Sequence, residues 1–174
     1  ASLVPDAIAM LDAPLRQRLH IHQQARPEQI DDLQQRYIDL EVTADIQSFY
    51  TDVPSLLGQS HLVICRAGAS SVAELAAIGR PSLLLPLPSA MDDHQRMNAL
   101  QMQDVGGGIC LDETNLSAAV LATRLMQLLD TPKTLSKMAK SARSLARPDA
   151  AGLIAAMAEN LLADAPTNPT GAAT

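Results

Sequence analysis

The chain has no tryptophan, one phenylalanine and two tyrosines in 174 residues, which leaves few platforms on which bases could stack. A formal net charge of −6 and a pI near 5.0 also deny it the basic surface that a phosphate backbone demands, so no nucleic-acid partner is expected. Cysteine is nearly absent. Cys65 and Cys110 each sit in an apolar segment without metal-ligand spacing, and we expect two buried thiols in a reducing compartment rather than a disulfide or a zinc site. No signal peptide is visible and no apolar run is long enough to cross a bilayer, so a soluble domain of cytoplasmic type is expected. The first residue is Ala1, not methionine, and the sequence opens almost directly into a helical pattern. This suggests a piece of something longer. The length itself suits one α/β domain with a proper core and a tail.

What is present is organised around residues 62–86. Leu62, Val63, Ile64 and Cys65 form an unbroken apolar run, the pattern of a central parallel strand covered on both faces. Gly68 then permits a turn that a residue with a Cβ would resist, and Ala69, Ser70 and Ser71 are small residues opening the helix that follows. The first turn of a helix carries unpaired N–H groups and the positive end of the macrodipole, so a phosphate or diphosphate placed there meets donors and favourable charge together. Arg66 precedes the turn and could add a formal charge. Glu74 lies one helical turn beyond Ser70, where a carboxylate can accept two hydrogen bonds from a vicinal diol such as a ribose. The same residues also suit plain capping, with Ser70 or Ser71 as N-cap and Glu74 as its partner or a solvated charge.

The rest of the chain reads as alternating helices and strands. Leu3, Ala7, Met10 and Leu11 predict a helix over 2–11, residues 20–24 a strand, and Ile30, Leu33 and Tyr37 a helix over 27–40. A strand over 42–49 leads to Tyr50, Thr51 and Asp52 at its C-terminal end, the end at which ligands collect in open α/β sheets. A short helix over 53–57 precedes the central unit, and a strand over 81–87 follows it. Asp92 with Gln95 has capping-box spacing, and Gln95 and Asn98 share a helix face where paired amides suit sugar hydroxyls, or simply a polar surface. His94 has no acid or nucleophile beside it in sequence and is read as hydrogen-bonded or solvated. Gly106, Gly107 and Gly108 end that helix; no Lys-Ser/Thr follows, so they are not a Walker-type loop. A strand over 109–111 and helices over 115–129, from 132 onward and over 148–162 complete the domain, 1–163. The helix from 132 carries Lys133, Lys137, Lys140, Arg143 and Arg147 around its apolar stripe, and residues 164–174 have the composition of a disordered tail.

Two of these stretches, Arg66-x-Gly68-Ala69-x-Ser71-x-x-Glu74 and Asp92-x-x-Gln95-x-x-Asn98-Ala99, stand in register on successive βα units. Together they resemble the C-terminal domain of the MurG family of GT-B glycosyltransferases over roughly residues 1–162. The resemblance implies a Rossmann-like, doubly wound parallel sheet, here lacking its first strand and the Gly-rich loop behind it. With the order 3-2-1-4-5-6, that strand would lie between 20–24 and 62–65. It implies that Glu74 holds the ribose hydroxyls, that Gly68, Ala69, Ser70 and Ser71 face the donor diphosphate with Arg66 beside them, that Gln95 and Asn98 meet the N-acetylglucosamine hydroxyls, and that the Tyr50 backbone pairs with uracil. The implied activity is inverting transfer of N-acetylglucosamine from UDP-N-acetylglucosamine to an undecaprenyl-linked muramyl-pentapeptide in peptidoglycan synthesis. No cofactor is implied. Acceptor binding and the general base would belong to an N-terminal domain not contained in this chain, as would most of the peripheral attachment to the inner face of the cell membrane. Other readings are a nucleotide-sugar binding module inert without a partner, as in a eukaryotic pair that splits such a transferase over two chains, and a UDP-sugar epimerase, whose acid and base residues are not found here.

Overall fold

A computed structural model describes residues 2–88 and 93–163 of the chain. Its elements run α1 (Leu3–Ala9), α2 (Ala13–Arg16), β1 (His20–Gln24), α3 (Ile30–Asp39), β2 (Thr43–Gln47), α4 (Val53–Gln59), β3 (Val63–Cys65), α5 (Ala69–Ile78), β4 (Ser82–Leu84), α6 (His94–Asp104), β5 (Gly108–Cys110), α7 (Ala118–Leu129), α8 (Pro132–Arg143) and α9 (Ala150–Ala163). All strand pairings are parallel: β1 with β2, and β3–β4–β5 in that order. No pairing joins β1 to β3 among the described residues, the place to which the resemblance assigns a further strand.

Side chains alternate across β4 and decide which helices cover it. Leu83 belongs to a core built from Ala7, Ile8 and Leu11 around α1, Leu33 and Tyr37 of α3, and Leu121, Leu125 and Leu128 of α7. Leu84 points into a second core with Val72, Leu75 and Ala76 of α5, Ala99 and Met102 of α6, and Ala142 of α8. Helices thus lie on both faces, and β4 is buried at every position. The expectation that 62–65 is the central, fully covered strand is corrected here: Val63, Ile64 and Cys65 are only half-buried, because β3 pairs on one side.

The helical stripes come out as the periodicity predicts, with Leu33 and Tyr37 of α3, the three leucines of α7 and Met138 and Ala142 of α8 buried, whereas Met10 is exposed. Beyond α1 a short helix that periodicity missed starts at Asp12, whose carboxylate accepts from the Leu15 N–H at 3.1 Å, with a proline at the helix start; this is ordinary N-cap chemistry. The strand expected over 81–87 closes at Leu84. Asp92, the expected cap of α6, lies outside the described residues, as do 164–174; the residue at the cap is Asp93, in left-handed backbone at φ 55 with no side-chain cap. Gly79 ends α5 at φ 74, a position glycine fills without steric cost.

Candidate functional site

The carboxyl end of β3 turns directly into α5, and this junction holds most of the residues singled out above. Gly68 is the N-cap, at φ −61 and ψ 151, without a side-chain cap. This corrects the expectation for the glycine, since any residue can adopt that backbone. A Cβ at Gly68 would meet only Ser71 Oγ, at 3.8 Å. What the glycine leaves is room above the helix start. The Val72 N–H bonds to Gly68 O at 3.0 Å, while the N–H groups of Ala69, Ser70 and Ser71 meet no acceptor among the described residues. Ser70 and Ser71 therefore do not cap α5 but lie in its first turn. Three free donors and the macrodipole make this an anion-receptive end. Glu74 is exposed one turn further along, and no described residue donates a hydrogen bond to it. Its charge is felt by Cys65, whose thiol is pushed up to about 11 first by burial and then by Glu74. A thiol so raised is inert at neutral pH.

The amides of α6 reach the segments that follow β3 and β4. Asn98 Nδ2 donates to Ala67 O at 3.0 Å, and Gln95 Oε1 accepts from the Leu87 N–H at 3.0 Å. Each leaves the other half of its amide, the Asn98 Oδ1 and the Gln95 NH2, for a further partner. Gln103 Oε1 holds the other end of α6 by accepting from the Cys110 N–H at 2.9 Å. His94, beside Gln95, is exposed. Arg66 is turned toward protein: it reaches the carbonyls of Leu85 and Pro86 and forms a two-pronged ion pair with Glu113, both prongs at 3.1 Å. Those carbonyls continue past β4, so the strand ends where Arg66 takes over from the ladder.

Tyr50 stands apart from this cluster, after β2. Its hydroxyl donates to Asp45 O at 2.7 Å and its ring meets His22 edge-on at 6.3 Å; burial raises its pKa above the ordinary phenol value. The side chain is thus an anchor, and its backbone N–H and C=O have no partner among the described residues.

Sequence reasoning missed the turn after β5. Asp112 caps it by accepting from Thr114 N–H and Oγ1, and that backbone bond chiefly holds its carboxyl below the usual carboxylate range. Glu113 is held low mainly by its hydrogen bond from Arg66. Because the folded value is the lower one, the pairing is in force above the ordinary carboxylate pKa and is lost as pH falls through the lowered value. Arg96 of α6 reaches Asp112 Oδ2 at 3.3 Å. The local Asp-x-Thr capping pattern was the only visible signal. Among the described residues no group of three His, Cys, Asp or Glu could hold a metal ion, and no helix is long and apolar enough to cross a membrane.

A parallel α/β domain covered on both faces, with an open helix start at the carboxyl end of a strand, has the architecture of the Rossmann-like half of a GT-B glycosyltransferase. Solved glycosyltransferases share it: the crystal structure of Acinetobacter baumannii MurG superposes with a TM-score of 0.81 at 30% identity, over 92% of this chain and 46% of that one. VinC in complex with dTDP gives 0.63 at 16% identity over 91% and 37%, a likeness of fold alone. The sequence profile of the glycosyltransferase family 28 C-terminal domain matches residues 2–154, and the chain belongs to that family. It is 43% identical over 170 residues to the UDP-N-acetylglucosamine–N-acetylmuramyl-(pentapeptide) pyrophosphoryl-undecaprenol N-acetylglucosamine transferase of Rhodospirillum rubrum, across 95% of this chain and 44% of that protein. The same-named transferase of Caulobacter vibrioides is 43% identical over 159 residues. The chain therefore spans less than half the length of these relatives.

Proposed function

We propose that the chain is the donor-binding half of an inverting glycosyltransferase that moves N-acetylglucosamine from UDP-N-acetylglucosamine to an undecaprenyl-pyrophosphoryl-muramyl-pentapeptide. The observation that carries this reading is the uncapped start of α5, with Glu74 one turn beyond it. The diphosphate lies against the N–H groups of Ala69, Ser70 and Ser71, over the space left by Gly68. Glu74 accepts from the ribose hydroxyls, the Tyr50 backbone pairs with uracil, and the free halves of the Gln95 and Asn98 amides take the sugar hydroxyls. Arg66 borders the diphosphate turn. In the transfer the acceptor hydroxyl attacks the anomeric carbon, the bond to the diphosphate oxygen breaks, and negative charge builds on departing UDP. Fixed donors aimed at that charge stabilise it more than they stabilise the ground state.

The acceptor lipid, the general base and peripheral contact with the inner face of the cell membrane belong to the portion of such transferases that this chain does not span. By itself the chain acts as a nucleotide-sugar binding module. Calorimetric titration of the folded chain with UDP-N-acetylglucosamine and with UDP-glucose tests the reading. Saturable binding that favours the N-acetylated sugar, with no turnover, is the expected result; a folded chain that binds neither nucleotide sugar removes the proposal.

A further inference from the structure

The guanidinium of Arg66 donates to two neighbouring loops. Nη1 donates to Leu85 O at 3.2 Å, to Pro86 O at 3.4 Å and to Glu113 Oε2 at 3.1 Å, and Nη2 donates to Glu113 Oε1 at 3.1 Å. Arg66 follows β3, Leu85 and Pro86 follow β4, and Glu113 follows β5, so one side chain ties together the carboxyl ends of all three paired strands. A second strut runs from Arg96 to Asp112 at 3.3 Å. The circuit closes through α6, where Asn98 donates to Ala67 O and Gln95 accepts from the Leu87 N–H. The Asn98 link lands on Ala67, the neighbour of Gly68.

We propose that Arg66 and Glu113 are a positioning pair for the diphosphate of the donor: they fix the loops after β3, β4 and β5 so that the α5 start is preorganised, and the Arg66 N–H groups that Glu113 holds do not themselves ligate the phosphates. This rests on the donor-site reading given above. Charge and geometry support it together. A bidentate arginine–carboxylate fork is directional and holds both partners in one arrangement, and the Arg66 side chain remains about half exposed, at 47%, while so engaged. The fork and the two carbonyls engage Nη1 and one N–H of Nη2, so an anion can reach those N–H groups only if Glu113 lets go, whereas Nε–H and the second Nη2 N–H have no acceptor among the described residues. A loop held in its binding conformation spares the ligand the entropy of ordering it.

The two possible roles of the N–H groups in the fork predict opposite signs for one substitution. Were those N–H groups phosphate ligands, Glu113 would be their competitor, and Glu113→Gln would free them, remove a negative charge from the vicinity and tighten UDP binding. As a positioning pair, the same change loosens the loops and weakens it. The experiment is calorimetric titration of the whole chain with UDP, and with uridine as a probe lacking the diphosphate, on the parent, Glu113→Gln, Glu113→Asp and Arg66→Lys, each first checked for an unchanged thermal unfolding midpoint. Expected are UDP affinities about fivefold weaker for Glu113→Gln and Arg66→Lys, the upper scale of an exposed ion pair, near-parental UDP affinity for Glu113→Asp, and uridine affinity unchanged throughout. Equal or tighter UDP binding by Glu113→Gln overturns the positioning role and leaves the donor site standing. Loss of uridine binding in step with UDP overturns it too, since the effect then has no link to the diphosphate. A parent chain that binds neither probe overturns the donor site and the pair with it.

Discussion

Glu74 shows how much a single side chain can say before and after folding. Its spacing from Ser70 marked it as a diol acceptor, and the structure leaves it exposed, with no hydrogen-bond donor among the described residues. A carboxylate with nothing to hold inside the protein contributes little to stability, so Glu74→Ala should leave the thermal midpoint unchanged while weakening UDP-N-acetylglucosamine binding roughly tenfold or more, the scale of a charge-assisted hydrogen bond. Titration of the variant checks this; parental affinity would take Glu74 out of the ribose contact. Arg66 teaches the opposite lesson. Its partner Glu113 is 47 positions away, and no local pattern in either segment announces the other. Gly68 was singled out for a backbone conformation it does not adopt, yet it opens the space that a ligand would need. Residue type was legible in the sequence; the orientation of long side chains, set by neighbours distant along the chain, was not.

At the scale of elements, the triple glycine after α6 illustrates how a correct boundary can conceal its reason. Residues 106–108 were read as a helix stop, and α6 does end at Asp104. Only Gly106, at φ 77, needs a glycine for its backbone. Gly107 is there because α8 runs against it: a Cβ would stand 2.7 Å from the Cα and N of Ala142 and 2.8 Å from the sulfur of Met102. Backbone cannot move aside as a side-chain tip can. Gly107→Ala should therefore cost about 1–3 kcal/mol, the range for overpacking, seen as a lower urea midpoint with an unchanged slope. A stability equal to that of the parent would mean that α8 slides over the sheet with ease. The helical stripes of α3, α7 and α8 were legible because periodicity of 3.6 is a local property. Close approach between two backbones belongs to the fold, and three glycines in a row give no hint of which helix is coming.

For the whole molecule, the sequence located every strand found among the described residues, and the α/β class followed from their alternation with amphipathic helices. It did not show burial at the C-terminal end. α9 forms as expected, but Leu153, Ile154, Met157 and Leu161 are 59–73% exposed, and apolar content alone could not have distinguished that helix from a core element. Nor could composition say how the strands divide. β1 and β2 bond to each other, β3, β4 and β5 bond among themselves, and the described residues join the two sets through side chains of a shared core rather than through a ladder. Solvent exchange of amide hydrogens should register that division. A strand can open without breaking a backbone bond in the other sheet, so the protected amides should fall into two groups with separate opening free energies, those of 82–84 the slower and those of 20–24 the faster. Native-state exchange measured at several low denaturant concentrations reads this directly, and a single opening energy for both groups would make the chain one cooperative unit. Two groups would mean that the half bearing the α5 start can keep its shape while the half bearing Tyr50 breathes, so that the grip on a base and the grip on a diphosphate fluctuate on different clocks.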